Sequence, residues 1–211
     1  MKTLKAIFSK KRNVVAVVCL VVFIIIAILE KFFSDALFAF DSNIYNVVKT
    51  LFYPWATSLF KVLTHLASGL FLIFLCFIFF LFKKRKLAFY SLFNLLSVFV
   101  VNQVLKVLFS RVRPSDFMII EESGYSFPSG HAQASMAFYG LIIYFLYHSN
   151  LPKKWRNLLI GLFVFLIILV GITRVYLGVH YVSDVLAGYL VSYILLTIYI
   201  NIFENNLKEV L

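Results

Sequence analysis

The sequence predicts an all-α polytopic membrane protein with six transmembrane helices in a bundle. Of its 211 residues, 63% are hydrophobic and 14% are charged, and the mean hydropathy is +0.96. Soluble domains are about 45–50% apolar and about 25% charged, so a water-soluble domain of this composition could not bury its apolar surface. A soluble enzyme and a disordered chain are therefore excluded. At about 20 residues for each span, residues 1–211 form one domain with no room for a second.

Six apolar stretches are the predicted spans, and they cover residues 14–29, 66–82, 87–105, 131–147, 158–172 and 182–202. The first stretch follows a basic start but has no small-residue cleavage site after it, so we interpret it as an uncleaved span and not as a signal peptide.

Residues 32–60 mix aromatic residues with Asp35 and Asp41, and they end in a segment that contains Trp55. This mixture predicts an amphipathic helical segment at the outer membrane interface.

The distribution of Lys and Arg predicts the orientation of the chain. Thirteen of the twenty basic residues lie in the two terminal segments and in the loops that are predicted on the same side of the membrane as the N-terminus. Because cytoplasmic loops carry the excess of positive charge, both termini are predicted in the cytoplasm of a multi-pass plasma-membrane protein. The net charge of +11 does not indicate a nucleic-acid partner, since the cations punctuate apolar runs instead of forming one basic face.

The first of three polar segments on the predicted outer side runs from Lys106 to Pro114. Lys106 and Arg113 are seven residues apart, two helical turns, so they can share one face. Arg111 is predicted to face water, with contact to a second phosphate as the alternative. The purely structural explanation is that these cations snorkel at a helix end.

The second segment is Phe127-Pro128-Ser129-Gly130-His131, directly before the fourth predicted span. Ser129 can cap a helix, and Gly130 allows a close backbone approach. A helix N-terminus of this kind can bind an anion. The alternative is an ordinary turn with a helix cap.

The third segment contains Arg174, His180 and Asp184. The spacing of four places His180 and Asp184 on one face at the start of the sixth predicted span. A carboxylate in an apolar helix is costly and suggests function, and here it can fix the tautomer of the imidazole. The alternative is a buried polar pair that holds helices together. Glu121 and Glu122, in the preceding loop, are predicted to face water.

Together these segments place three cations, a helix N-terminus, two histidines and an aspartate at one membrane face. Cations and backbone amides suit the oxygens of a phosphoryl group, and two histidines suit a nucleophile and an acid. The sequence has no carboxylate cluster for magnesium and no Cys/His set for zinc. The pattern therefore predicts phosphoryl transfer through a phosphohistidine, without a metal or other cofactor.

The three segments resemble the three signatures of the type 2 phosphatidic acid phosphatase (PAP2) superfamily, and in this sequence they read Lys106-x6-Arg113-Pro114, Pro128-Ser129-Gly130-His131 and Thr173-Arg174-x5-His180-x3-Asp184. Thr173 stands where the family usually has serine. The resemblance implies an all-helical bundle in which His180 attacks phosphorus, Asp184 orients it, and His131 protonates the leaving oxygen and then activates water. It also implies a set of residues that hold the phosphoryl oxygens, namely Lys106, Arg113, Ser129, Gly130 and Arg174.

The resemblance further implies a membrane lipid phosphate as substrate, reached from the bilayer. The compact six-helix form resembles the branch of the superfamily that hydrolyses phosphatidylglycerophosphate or undecaprenyl diphosphate, and a site on the outer face favours the carrier-lipid diphosphate. Phosphatidic acid and diacylglycerol pyrophosphate also stay open, and the motifs do not distinguish a monoester from a diphosphate. Two alternatives stay open. One is a lipid headgroup phosphotransferase that uses the same histidine, and the other is a non-catalytic protein that binds or transports a lipid phosphate.

Overall fold

The computed structural model of the chain describes residues 11–114 and 118–208. Over these ranges all regular secondary structure is helical, and turns and loops connect the helices. The helices of the described ranges, numbered here in chain order, are α1 (Lys11–Phe32), α2 (Ser34–Lys49), α3 (Pro54–Leu63), α4 (Gly69–Leu81), α5 (Arg85–Phe109), α6 (Gly130–His148), α7 (Lys153–Tyr176) and α8 (Val182–Lys208). A 3₁₀ turn at Thr64–Ala67 joins α3 to α4.

Four of the described helices, α1, α5, α7 and α8, are long and apolar enough to cross a membrane. The segments Pro54–Ala67 and Gly69–Leu81 form a pair bent by 53° that passes the same test as one broken span, which makes five. The six predicted spans are not reached on this criterion. The helix that falls short is α6, whose buried polar residues include Gln133 and Ser135. Protein packs around α6 on several sides, so it does not need an uninterrupted apolar surface.

The predicted second span begins later than its apolar run suggests. Ser68 is extended and its Oγ accepts a hydrogen bond from the backbone N–H of Phe71 at 3.3 Å, so α4 starts at Gly69. A serine at this position satisfies one of the free amides of the first helical turn. The preceding residues belong to the 3₁₀ turn and to α3, which approach at an angle.

The segment predicted as amphipathic, residues 32–60, forms α2 and most of α3. Each helix buries one face, with Leu37, Asp41 and Tyr45 inward on α2 and Ala56 inward on α3. Both helices pack on α7, and α2 also contacts α8. The helical prediction is therefore confirmed, whereas the interfacial location stays a prediction. The sequence analysis did not predict that Asp41 points into the bundle.

The centre of the bundle is α6, which packs along α7 and α8 and also contacts α5. Phe138 and Leu141 are fully enclosed, and the Phe138 ring stacks on Phe79 of α4 with 6.1 Å between centroids. Between membrane helices such packing contributes mainly through van der Waals contact, because lipid tails are as apolar as the side chains. The central position of α6 places its N-terminus between α5, α7 and the start of α8.

Candidate active site

The turn before α6 is held in place by its neighbours on both sides. Asn102 of α5 donates from Nδ2 to the carbonyl oxygen of Pro128 at 3.1 Å, and the N–H of Ser129 donates to the backbone carbonyl of Asp184 at 3.0 Å. A Cβ atom at Gly188 would lie 2.8 Å from the carbonyl oxygen of Ser129, so only glycine allows α8 this approach. Asn102 and Gly188 thus hold this turn in place, and the sequence patterns did not indicate either residue.

Ser129 occupies the N-cap position of α6, as predicted, but its side chain does not cap the helix. Its Oγ is buried and has no hydrogen-bond partner among the described residues. A buried hydroxyl without a partner costs free energy, so the predicted cap is wrong and the hydroxyl is left available to a ligand at the N-terminus of α6. The neighbouring Gly130 sits close to α5, where a Cβ would be 3.3 Å from the Oδ1 atom of Asn102.

His180 and Asp184 do meet, although not as stacked residues on one helix. Helix α8 begins at Val182, so His180 lies in the preceding loop. Asp184 Oδ2 turns back to accept the N–H of Tyr181 at 2.9 Å, as a residue in the first turn of a helix does, and it lies 3.4 Å from His180 Nδ1. Both side chains are buried. The predicted pair is therefore present, and helix capping brings it together.

The hydrogen bonds around His180 determine which ring nitrogen carries the proton. Arg113 Nη1 lies 3.2 Å from His180 Nε2, and a guanidinium only donates, so Nε2 must accept. The proton of the neutral ring is then on Nδ1, facing Asp184. Burial, followed by the charges of Arg174, Arg113 and Lys106, holds the pKa of His180 well below its ordinary value. At neutral pH, His180 is therefore uncharged with a lone pair on Nε2.

Arg174 lies at the end of α7 and is almost fully enclosed. Its Nη1 donates to Thr64 Oγ1 at 2.8 Å, and its Nη2 is paired with the carboxylate of Glu122. Its Nε is buried and has no hydrogen-bond partner in the part of the chain that the structure describes. One donor of a buried cation thus remains unpaired beside the site, which favours an anionic ligand.

Glu122 does not simply face water, which corrects the prediction for this residue. Its side chain is 27% exposed and pairs with Arg174. Burial raises the pKa of the Glu122 carboxyl, but Arg174, with smaller contributions from His131 and Arg113, offsets this and holds the pKa below its ordinary value. Glu122 therefore stays charged at neutral pH. The neighbouring Glu121 is exposed, as predicted.

Arg113 is directed mainly at the backbone. Its Nε and Nη2 donate to the carbonyl oxygens of Gly124 and Ser123 at 2.9 and 3.1 Å, and its Nη1 also reaches the carbonyl of Val179 at 2.8 Å. Gly124 has a φ of +77°, which a residue with a side chain rarely adopts. Arg113 thus holds the 123–124 loop against the loop of His180, in addition to its contact with the imidazole.

Thr173 is fully buried and its hydroxyl donates to the carbonyl oxygen of Val170 at 2.6 Å within α7. The proton of this hydroxyl is therefore used inside the helix.

Lys106, His131 and Glu122 line a cavity of about 660 Å³ between α4, α5 and α6. The remainder of the wall is mostly apolar and includes Leu70, Leu92, Leu96 and Phe99. The cavity therefore joins the charged site to a surface that would face lipid.

Arg111 is buried, not solvated, and this prediction was wrong. Its guanidinium pairs with three carboxylates from three different helices, which belong to Glu30, Asp41 and Asp184. The available sequence signal was the isolated acidic residues in otherwise apolar stretches, because such residues need a partner inside the bundle. Without the fold, no pattern shows which cation provides it.

The structure thus brings the predicted residues together: an uncharged, oriented histidine, several buried cations and a helix N-terminus converge beside an apolar cavity. This combination defines a protein that binds and transfers a phosphoryl group in a membrane. In agreement with this class, the sequence model of the PAP2 superfamily matches residues 86–208. The chain belongs to the PAP2 superfamily, and it is a membrane lipid phosphate phosphatase, a hydrolase.

Comparison with individual proteins agrees with this assignment. The chain is 32% identical over 183 residues to phosphatidylglycerophosphatase B of Bacillus subtilis (strain 168), an alignment that covers 83% of this chain and 89% of that protein. It is also similar to the crystal structure of the transmembrane PAP2-type phosphatidylglycerolphosphate phosphatase from Bacillus subtilis. The TM-score is 0.82 at 31% identity, over 90% of this chain and 96% of the other.

A second solved structure, that of Aquifex aeolicus LpxE, matches with a TM-score of 0.63. The identity is 23%, and the alignment covers 75% of this chain and 93% of that chain. At this level of identity the similarity supports the fold.

Proposed function

We propose that the protein hydrolyses a phosphate from an isoprenoid or glycerolipid (di)phosphate through a phosphohistidine on His180, without a metal ion. The observation that carries the proposal is the setting of His180, whose Nε2 faces Arg113 while its Nδ1 faces Asp184. A phosphate that displaces this Arg113 contact would receive the lone pair of Nε2 and keep the cations around its oxygens.

In the first step the lone pair of His180 Nε2 forms the bond to phosphorus while the bond from phosphorus to the leaving oxygen breaks. His131, which must begin this step as the imidazolium, gives its proton to that oxygen and becomes neutral, and Asp184 stabilises the positive charge that develops on the ring of His180. In the second step water loses a proton to His131 and its oxygen bonds to phosphorus. The nitrogen–phosphorus bond then breaks, which returns both histidines to their starting states.

The groups that hold the phosphoryl oxygens include hydrogen-bond donors that have no other partner. Ser129 Oγ and Arg174 Nε are two buried donors at the site that have no hydrogen-bond partner in the described ranges, and the amides at the start of α6 add the positive end of a helix dipole. Lys106 contributes a further charge in the wall of the cavity. These donors replace the function of a metal ion, since they can neutralise the charge of the transferred group.

The apolar cavity between α4, α5 and α6 supports a lipid substrate, whose chains would follow its wall while the phosphate reaches His131 and Lys106. The similarity to phosphatidylglycerophosphatase B favours phosphatidylglycerophosphate. Undecaprenyl diphosphate is the other candidate, because the motifs do not distinguish a monoester from a diphosphate. The distribution of Lys and Arg supports cytoplasmic termini and a site on the extracytoplasmic side of the plasma membrane.

Phosphate release by the purified full-length protein in detergent tests this proposal. Phosphatidylglycerophosphate, undecaprenyl diphosphate and phosphatidic acid are offered in parallel, each with and without EDTA, and with orthovanadate as inhibitor. We expect release from at least one lipid, unchanged by EDTA and suppressed by orthovanadate, a mimic of pentavalent phosphorus. Loss of activity with the chelator would overturn the metal-independent mechanism.

Other outcomes separate the alternatives. If the lipid is consumed without release of inorganic phosphate and a second lipid becomes phosphorylated, the protein is a headgroup phosphotransferase. If the lipids bind but are not consumed, it is a binding or transport protein.

Glu122 provides a further prediction, because its carboxylate occupies Arg174 in the absence of substrate. In the variant Glu122→Gln the substrate phosphate no longer competes with a carboxylate, so we expect both KM and the inhibition constant of orthovanadate to fall. The expected decrease is about fivefold, equivalent to roughly 1 kcal/mol for a partly exposed ion pair.

The matched control is Glu121→Gln, which removes the same charge from an exposed neighbour. Equal changes in the two variants would mean that only the net charge of the loop matters. A weaker affinity for orthovanadate in Glu122→Gln would instead show that Glu122 orients Arg174 for the phosphate.

A further inference from the structure

We propose that Arg111 is a positioning residue for the reaction, which holds Asp184 in the orientation that His180 requires. This inference rests on the proposed function of the site. Arg111 does not contact the imidazole itself. It acts through the carboxylate of Asp184, whose two oxygens have different partners: Oδ1 lies 2.7 Å from Arg111 Nη1, and Oδ2 faces His180 and the N–H of Tyr181.

The guanidinium of Arg111 contacts three carboxylates and one aromatic ring. Its Nε lies 3.0 Å from Glu30 Oε2 on α1, and its Nη2 lies 2.9 Å from Asp41 Oδ2 on α2. Its plane sits over the Tyr181 ring, with 4.1 Å from Cζ to the ring centroid. Nη1 donates hydrogen bonds to Asp184 and Ser183 and Nη2 donates to Asp41, while Glu30 contributes its charge beside Nε. These contacts orient the guanidinium and, with it, the Asp184 carboxylate.

Asp41 extends the same arrangement to the backbone of the catalytic loop. Its Oδ1 accepts the N–H of Ser183 at 2.9 Å, and its Oδ2 accepts the hydroxyl of Ser183 at 2.6 Å. Ser183 Oγ is also 2.7 Å from Arg111 Nη1. The start of α8, which carries Asp184, is therefore fixed from α2 by hydrogen bonds and from Arg111 by charge.

The positive charge of Arg111 also contributes to the orientation of Asp184, in addition to its hydrogen bonds. One guanidinium faces three buried carboxylates, those of Glu30, Asp41 and Asp184. If this cation is removed, the carboxylates repel one another, and the cluster binds a proton at higher pH. A protonated or rotated Asp184 no longer accepts the Nδ1 proton of His180. The imidazole, which on its other side contacts Arg113 Nη1, loses its orientation.

The test uses the full-length variants Arg111→Gln, Arg111→Lys and Asp41→Asn. For Arg111→Gln we expect kcat to fall about 10–100-fold, by analogy with the loss seen when the hydrogen-bond partners of metal-bound histidines are removed, with KM changed less than threefold. The acidic limb of the kcat–pH profile should move to higher pH. Arg111→Lys should restore part of kcat and return the acidic limb toward the wild-type position, and Asp41→Asn should lower kcat without changing KM.

The matched control is Arg12→Gln, which also removes a cation that joins α1 to α8. Arg12 Nη2 lies 3.1 Å from Glu204 Oε2 and 2.7 Å from Asn201 Oδ1, among the last turns of α8. Its loss should lower the melting temperature but leave the pH profile of kcat unchanged. Folding of every variant is followed by size-exclusion chromatography and thermal unfolding.

The inference is overturned if folded Arg111→Gln keeps a wild-type kcat, or if its pH profile is no different from that of Arg12→Gln. Should Arg111→Gln fail to fold, Arg111→Lys and Asp41→Asn decide the question by the same measurements. An inactive wild-type protein on every lipid offered would instead contradict the proposed function, so the two failures are distinguishable.

Discussion

Replacing His180 with alanine is expected to abolish phosphate release, with a loss of about 10⁴-fold or more in kcat, as when the nucleophile of another covalent enzyme is removed. The physical reason is that the variant lacks the nucleophilic lone pair of Nε2, and the group that faces this position, Arg113 Nη1 at 3.2 Å, cannot replace it. A cation has no lone pair to give. Phosphate release and trapping of a radiolabelled phosphoenzyme are the measurements.

The variant should remain folded, because the neighbours of His180 keep other partners. Asp184 retains Arg111 and the N–H of Tyr181, and Arg113 retains its backbone carbonyls. The matched control is His148→Ala at the opposite end of α6, where Nδ1 lies 2.9 Å from the carbonyl of Tyr144. It should keep full activity. Retained turnover or a trapped phosphoenzyme in His180→Ala would remove His180 as the nucleophile.

Replacing Asp184 with asparagine is expected to reduce kcat by about 10²–10⁴-fold while KM changes little. In a serine protease the equivalent Asp-to-Asn change costs about 10⁴-fold, since the amide selects the wrong tautomer of the histidine. Here the amide group must satisfy Arg111, the N–H of Tyr181 and His180 at once. Arg111 and Tyr181 both donate, so they compete for the single amide oxygen, and one of these contacts is lost.

A structural contribution of Asp184 is separated from its catalytic one by Ser183→Ala. Ser183 belongs to the same buried cluster, but its hydroxyl bonds to Asp41 and Arg111 instead of to His180. Ser183→Ala should lower stability with a modest effect on kcat. If Asp184→Asn keeps a rate near that of the wild type, Asp184 serves the packing of the helices and not the orientation of His180.

The class of protein could be predicted from local sequence features because each depends on short stretches of chain. Apolar runs of about one membrane thickness indicate helices in a bilayer. The three polar segments around Arg113, His131 and His180 identify the family, since their residue types and order are specific. Helix α6, for example, begins directly after Ser129 as the sequence predicts.

Other features depend on contacts between residues far apart in the sequence, so local patterns could not reveal them. The environments of Arg111 and Glu122 are the clearest cases. Both residues were predicted to face water, and both form ion pairs with partners more than 50 residues away in the sequence. The His180–Asp184 pair shows the same limit in its geometry, since capping of α8 and not helical stacking joins the two residues.

The sequence by itself therefore determined the membrane class, the family and the identity of the candidate catalytic residues, because composition, apolar length and motif spacing are properties of the linear chain. The tertiary structure decided how these residues are oriented. A buried charge is stable only beside a partner. The three partners of Arg111 lie on α1, α2 and α8, so they can be identified only once the helices are packed together.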